Sequence, residues 1–309
     1  MSRKSIFLLA AAVVLLYFSI ILFMLSPFQG TRNTYYGGVY MNHMFIRQIP
    51  TVNWCKELQF RAPSSDNVVA LVSYPGSGNT WLRYLLQQVT GIVTGSIYMD
   101  NGLRVHGFPA ESVTDGSVLV VKTHQYPPED DKFHSAVLLI RNPRDAILAD
   151  FNRLHKGHIG TAPKSAFLKK IQDKKSGEGV FFTFFLVFTK LSYWVTLHEL
   201  WLTRFPGPVH VVFYETLVDH TRKSVEEILR FLNYNADMEC AMKNKEGIYR
   251  RRKKLQDFDP YTPAMYKSID ESRNKVLKIR LANFRLHMYG ESLKVMGAKA
   301  AMPRTLICY

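Results

Sequence analysis

The sequence predicts an α/β protein, a P-loop-like parallel sheet with helices on both faces, preceded by one transmembrane helix. Three observations predict it. Four short apolar runs are continuous and β-branched rather than alternating, which suits strands buried on both faces of a parallel sheet. Helical patterns separate the runs. Each run then ends in a polar motif, so all four motifs share one phase along the chain.

The elements follow in order. Ile6 to Leu25 (IFLLAAAVVLLYFSIILFML) is an uncharged run, and about 20 apolar residues make one bilayer crossing. It is longer than the roughly 7–15 apolar residues of a cleavable signal peptide, so an uncleaved signal anchor is expected. Arg3 and Lys4 before it place residues 1–5 in the cytosol and the remainder in the lumen. Residues 26–61 read as a stem and 62–309 as one lumenal domain. Its strands are Val68 to Ser73, Val118 to Val121, Ala136 to Ile140 and Val209 to Phe213. The helices are Trp81 to Val89, Arg144 to His155 and Lys223 to Leu232. Val180 to Leu202 is long and apolar but carries Lys190, His198 and Glu199. Ionisable groups at mid-membrane are costly, so a buried core helix is expected there.

Composition bounds the ligand. The chain has 309 residues and carries 40 Lys+Arg against 25 Asp+Glu, a net charge of +15. That excess favours an anionic ligand, nucleic acid or an acidic membrane surface without choosing among them. Cys55, Cys240 and Cys308 have no zinc-ligand spacing, so no metal is expected. One disulfide can form in the lumen, with the pair left open.

The strand-end motifs are YPGSGNT (Tyr74 to Thr80), KTH (Lys122 to His124), RNPRD (Arg141 to Asp145) and YET (Tyr214 to Thr216). In a doubly wound sheet the carboxyl ends of the strands line one crevice, so four polar motifs there point to one site. In the first motif a turn leads into a helix amino terminus, where free N–H groups and the dipole favour a phosphate. Gly76 and Gly78 allow close backbone approach, and Ser77, Asn79 and Thr80 add side-chain donors. The loop lacks the lysine of an NTP-hydrolysing GxxxxGK[ST] loop. A tight turn with no ligand is the plain alternative.

These motifs together resemble the sulfotransferase superfamily, whose donor is 3′-phosphoadenosine 5′-phosphosulfate (PAPS). Pro75-Gly76-Ser77-Gly78-Asn79-Thr80-Trp81 is similar to that family's 5′-phosphosulfate loop, and Arg141 to Asp145 to its 3′-phosphate segment. Lys122 to His124 and the stretch from Phe213 to Tyr234 resemble its remaining segments. Within the superfamily, ALVSYPGSGNTWLRYLL with RNP, FNR and GHIG most resembles Golgi proteins known for amino-terminal WSC domains. This chain resembles a short member without those domains.

The resemblance implies sulfuryl transfer from PAPS to a hydroxyl, with an acidic glycan or glycoprotein as acceptor, sialylated glycans among the candidates. It implies a single-pass type II protein of the Golgi membrane, anchored through residues 6–25, with no nucleic-acid partner. His124 is the expected general base and Lys122 its electrostatic partner. The alternative for His124 is a satisfied structural histidine. Arg141, just outside a helix capped by Asn142, is expected on the 3′-phosphate. Trp81 and Tyr214 are either adenine partners or core. In the basic run Glu246 to Lys254, one or two of Arg250, Arg251 and Arg252 are expected to return to the 3′-phosphate, Arg250 and Arg251 first, against a plain charged surface. Ala149 stands where cytosolic relatives place a phosphate-binding serine, and Gly76 where many carry a lysine. Either Lys122 and Arg83 supply that charge, or the chain is a nucleotide-binding scaffold on a transferase fold.

Overall fold

A computed structural model describes residues 52–62, 65–130, 132–156, 161–167, 181–249 and 258–300. The membrane helix expected over 6–25, the stem as far as residue 51, and Arg250, Arg251 and Arg252 lie outside the described residues. Among the described residues no helix is long and apolar enough to cross a membrane.

Five strands form one sheet in the order β2-β3-β1-β4-β5. They are β1 (Val69–Ser73), β2 (Gly95–Ser96), β3 (Val121–Thr123), β4 (Ser135–Ile140) and β5 (Val209–Phe213). Every pairing is parallel. β1 is central, with β3 on one side and β4 on the other, so the strand order reverses there. That reversal opens a crevice beyond the strands' carboxyl ends.

Two expectations about strands are corrected. The apolar run from Val118 becomes a strand only at Val121, and Lys122 and Thr123 lie inside it. Val118, Leu119 and Val120 are buried ahead of it, and only single backbone bonds, from Leu119 N–H to Val93 and from Gly95 N–H to Val120, lead into the ladder. The two-residue β2 has no periodicity to read. It is held against β3 through Gly95↔Val121 and Ser96↔Lys122.

Alternate strand residues face opposite cores, as the strand's period of two requires. Leu71, Val137 and Leu139 face α1 (Asn79–Thr90), which contributes Trp81, Leu82, Leu85, Leu86 and Val89. Ala70, Val72, Ala136 and Leu138 face α5 (Phe181–Thr203), which contributes Val187, Leu191, Trp194, Leu197 and Trp201. Their spacings of three and four make one helical stripe, and each fully buried side chain contributes about 1.5–3 kcal/mol.

The expected core helix is therefore present, and its ionisable groups are accommodated individually. Lys190 pairs with Asp150, Glu199 pairs with Lys275, and His198 is buried with Nδ1 against the Trp194 carbonyl. Between β1 and β5 the chain also forms α2 (Asn101–Val105), α3 (Pro143–Lys156) and α4 (Lys164–Phe167). After β5 come α6 (Tyr214–Asp219), α7 (Thr221–Phe231), α8 (Glu239–Lys243) and α9 (Pro263–Ala300).

Residues 52–61, the end of the stem by sequence, pack on this domain. Gln59 bridges in parallel to Ile92, and Gln88 accepts from the Cys55 N–H while donating to the Asn53 carbonyl. Cys55 is joined to Cys240 by a disulfide. This names the pair that spacing alone left open.

Candidate active site

The loop between β1 and α1 is built on two glycines with left-handed backbones, Gly76 at φ 82° and Gly78 at φ 94°. Gly78 caps α1, and no side chain bonds the helix start. No capping side chain among the described residues therefore competes with an anion at this helix amino terminus. Ser77 Oγ and Asn79 Oδ1 are buried without a hydrogen-bond partner. Pro75 and Thr80 are half-buried around them.

Gly76 rests directly on α3. A Cβ at this position would lie 2.6 Å from the Ala146 carbonyl oxygen, 2.7 Å from the Asp150 nitrogen and 3.1 Å from Ala149 Cβ. Gly76 and Ala149, the two positions at which the sequence departs from the resemblance, thus meet at one contact, and close packing of loop on helix accounts for the absence of a side chain at Gly76.

Lys122, in β3, is only 6 % exposed. Its Nζ lies over the Tyr98 ring, 5.6 Å from the centroid, and makes no hydrogen bond or ion pair among the described residues. Burial, then the charge of Arg83, pushes its pKa down to about 8. Two residues on, His124 is half-buried and stacks on the same Tyr98 ring, with centroids 5.6 Å apart.

The His124 ring is oriented by its neighbours. Nδ1 is 2.7 Å from the Ser73 carbonyl oxygen, so it carries the proton and Nε2 keeps a lone pair. The His124 N–H donates to the Tyr98 hydroxyl at 3.0 Å, and the Tyr193 hydroxyl donates to the His124 carbonyl. Asn79 Nδ2 bonds both the Leu71 carbonyl and Ser73 Oγ, tying the phosphate loop to the strand end that holds the imidazole. Burial, then the charge of Lys122, holds His124 well below the usual imidazole range.

Arg141 occupies the next corner. Its Nη1 donates to the Gly76 carbonyl at 2.7 Å, its guanidinium lies 4.3 Å from the Tyr214 ring centroid, and its Nε is buried without a partner. Tyr214 in turn fills the space a side chain at Gly78 would need, 2.5 Å from that position's Cβ. Asn142 caps α3 through the Arg144 N–H, while its own N–H donates to Glu215. The RNPRD and YET motifs are therefore joined to each other and to the loop.

Trp81 lies at the base of this corner. It is 2 % exposed, meets Tyr214 edge-on at 6.1 Å and donates Nε1–H to the Lys245 carbonyl at 2.8 Å. The structure thus brings Pro75 to Trp81, Lys122, His124, Arg141 and Tyr214 to one edge of the sheet.

Arg83 is elsewhere. Its fully buried guanidinium pairs with Glu111 at 2.6 Å, donates twice to Thr94 and lies over the Phe108 ring. A charge so engaged cannot substitute for a loop lysine, which corrects that expectation. Sequence reading also missed Tyr98, Tyr193, Ser73 and Lys245. Tyr98, Tyr193 and Lys245 belong to no local motif, Lys245 contributing only a carbonyl, while Ser73 directly precedes the phosphate loop and acts through its carbonyl and hydroxyl.

Comparison with known proteins identifies the family. A sulfotransferase domain model matches residues 66–275. A WSCD family member of Aedes aegypti is 42% identical over 266 residues, covering 77% of this chain and 81% of that protein. The chain belongs to the WSCD family of sulfotransferases. A family member of Drosophila pseudoobscura pseudoobscura is 42% identical over 255 residues, covering 74% and 78% of the two chains. Among solved structures, a mouse sulfotransferase complexed with PAP aligns at TM-score 0.47 and 16% identity over 74% of this sulfotransferase and 90% of that chain.

Proposed function

We propose that this sulfotransferase uses PAPS as donor and transfers its sulfuryl group to a hydroxyl of an acidic glycan in the secretory pathway. One observation carries the reading: a buried ammonium, Lys122, with no counterion among the described residues, beside an imidazole whose Nδ1–H bond leaves Nε2 with the lone pair. A buried cation costs free energy until an anion meets it, and the helix start of α1 offers a second anion contact in the same crevice.

The residues fit such a donor. The α1 amino terminus, Ser77 and Asn79 would hold the 5′ end, and Arg141 Nε the 3′-phosphate, with Trp81 and Tyr214 between them. His124 Nε2 takes the proton of the acceptor hydroxyl as that oxygen bonds to sulfur. The bond from sulfur to the donor's phosphate oxygen breaks, and its electron pair leaves on that oxygen. Lys122 meets the negative charge developing there. The anionic donor also offsets the Lys122 charge that depresses His124, so the imidazole becomes a stronger base once donor is bound.

The Cys55–Cys240 disulfide supports an oxidising compartment, as does the charge pattern around residues 6–25. Both support a secretory-pathway setting, and the Golgi membrane is the compartment we propose within it. Two measurements test the reading. Calorimetry should show 3′-phosphoadenosine 5′-phosphate binding without Mg²⁺ and more tightly than ATP; equal affinities, or none, would overturn the donor. Labelled PAPS offered with sialylated, uronic-acid and neutral glycans should label an acidic one. Binding without product from any acceptor would favour a nucleotide-binding scaffold.

A further inference from the structure

One cluster in this half of the molecule has no part in the reaction just described. Asp150 on α3 is fully buried, and two cations share its carboxylate. Arg153 bonds Oδ1 through Nε at 3.2 Å and Nη2 at 2.7 Å, and Lys190 bonds Oδ2 at 2.7 Å. Lys190 alone would neutralise the carboxylate. With Arg153 added, the cluster is one positive charge in excess among the described residues, and the Arg153 side chain is 39% exposed.

Its position gives that excess a purpose. The same turn of α3 that carries Asp150 lies on Gly76 of the phosphate loop, and Arg153 is one helical turn further on. On α5, Lys190 and Tyr193 are three residues apart and share a face: Lys190 reaches Asp150, and Tyr193 reaches the His124 carbonyl. The Arg153 cluster is therefore one helical turn from the group that bonds the catalytic strand end. Its charge is among those that lower the pKa of both Lys122 and His124. Arg153 Nη1 has no partner among the described residues.

We propose that Arg153, aimed by Asp150, is the specificity-determining residue that binds an anionic group on the acceptor while the acceptor hydroxyl lies at His124. A guanidinium pinned along one edge keeps its other edge for a carboxylate, with less ordering cost than a free side chain. This rests on the sulfuryl-transfer reading above, and it assigns to a named residue the preference for an acidic acceptor.

The test uses protein saturated with 3′-phosphoadenosine 5′-phosphate, so that donor-site failure is seen separately. Calorimetry compares the methyl glycosides of a sialic acid and of glucuronic acid with their methyl esters. At least one acid should bind about tenfold or more tightly than its ester, the effect of one charge-assisted contact. Arg153→Ala should bring that ratio to about one, and Arg153→Lys should restore part of it, while nucleotide affinity stays within about twofold. Acids and esters binding alike in the unmutated protein, including no binding of either, overturns the proposal. So does an unchanged ratio in a folded Arg153→Ala. Should the nucleotide itself not bind, the donor reading fails, and the same acid and ester comparison on unliganded protein still decides Arg153.

Discussion

The Nδ1 atom of His124 stands 2.7 Å from the carbonyl oxygen of Ser73. A carbonyl can only accept, so the proton is on Nδ1 and the Nε2 lone pair faces away from the strand. Base catalysis contributes about 10²–10⁴-fold. His124→Ala should therefore lower turnover by about 10²-fold or more, with nucleotide affinity nearly unchanged. Steady-state kinetics with calorimetry separates the two effects; a loss confined to KM would remove His124 from the chemistry.

The same imidazole should titrate below the usual value of about 6.5, since burial and the Lys122 charge both disfavour its cation. A bound polyanion acts with the opposite sign and raises it. Nitrogen chemical shifts of His124, followed against pH with and without 3′-phosphoadenosine 5′-phosphate, should show the Nδ1–H tautomer throughout and an upward shift in pKa on binding. A downward shift would contradict the proposed placement of the donor.

Lys122 has a pKa lowered to about 8, and the anionic donor binds its protonated form. In free protein the cation is complete below pH 8 and lost as pH rises through it. The donor's kcat/KM should thus fall above pH 8, approaching about tenfold per pH unit. Lys122→Arg keeps its charge throughout this range, so its kcat/KM, though lower, should be flat there. An alkaline limb unchanged in Lys122→Arg would assign it to another group.

Gly76 cannot carry the lysine that the resemblance led one to expect in this loop. Its φ of 82° and the main-chain atoms of Ala146 and Asp150 oppose any side chain. Left-handed backbone costs about 1–2 kcal/mol in other residues, and overpacking about 1–3 kcal/mol more. Gly76→Lys should melt markedly lower and gain no turnover. A variant of unchanged stability and higher activity would show that the loop can leave α3.

The Cys55–Cys240 bridge spans 185 residues, and losing such a bond costs about 2–5 kcal/mol. Just beyond Cys240, the carbonyls of Asn244 and Lys245 accept from Tyr84 and Trp81. Cys55→Ser with Cys240→Ser should lower the melting temperature and weaken nucleotide binding together. A chain starting at residue 50 should keep both properties, whereas one starting at residue 62 should resemble the double variant. Equal melting of the two truncations would show that the bridge contributes nothing to the domain.

What the sequence determined by itself is local. A buried parallel strand needs a continuous apolar run, and the turn after it needs glycine, proline and a helix start. Both requirements fall within about ten neighbouring residues, so KTH, RNPRD, YET and the loop could be placed at strand ends without coordinates. That Val180 to Leu202 forms a buried core helix was legible for another local reason, since Lys190, His198 and Glu199 within a long apolar run argue against a membrane crossing.

Tertiary structure alone decided which distant groups meet. Arg83 is one turn from the phosphate loop in sequence, yet helix geometry turns it to Glu111, 28 residues away. Tyr98 and Tyr193 reach His124 across 26 and 69 residues, Lys245 reaches Trp81 across 164, and Asp150 underlies Gly76 from another helix. These contacts depend on the strand order and on how closely α3 and α5 pack on the sheet. A single chain carries no periodic trace of either, because each contact is a property of two segments whose sequences are independently satisfied by burial.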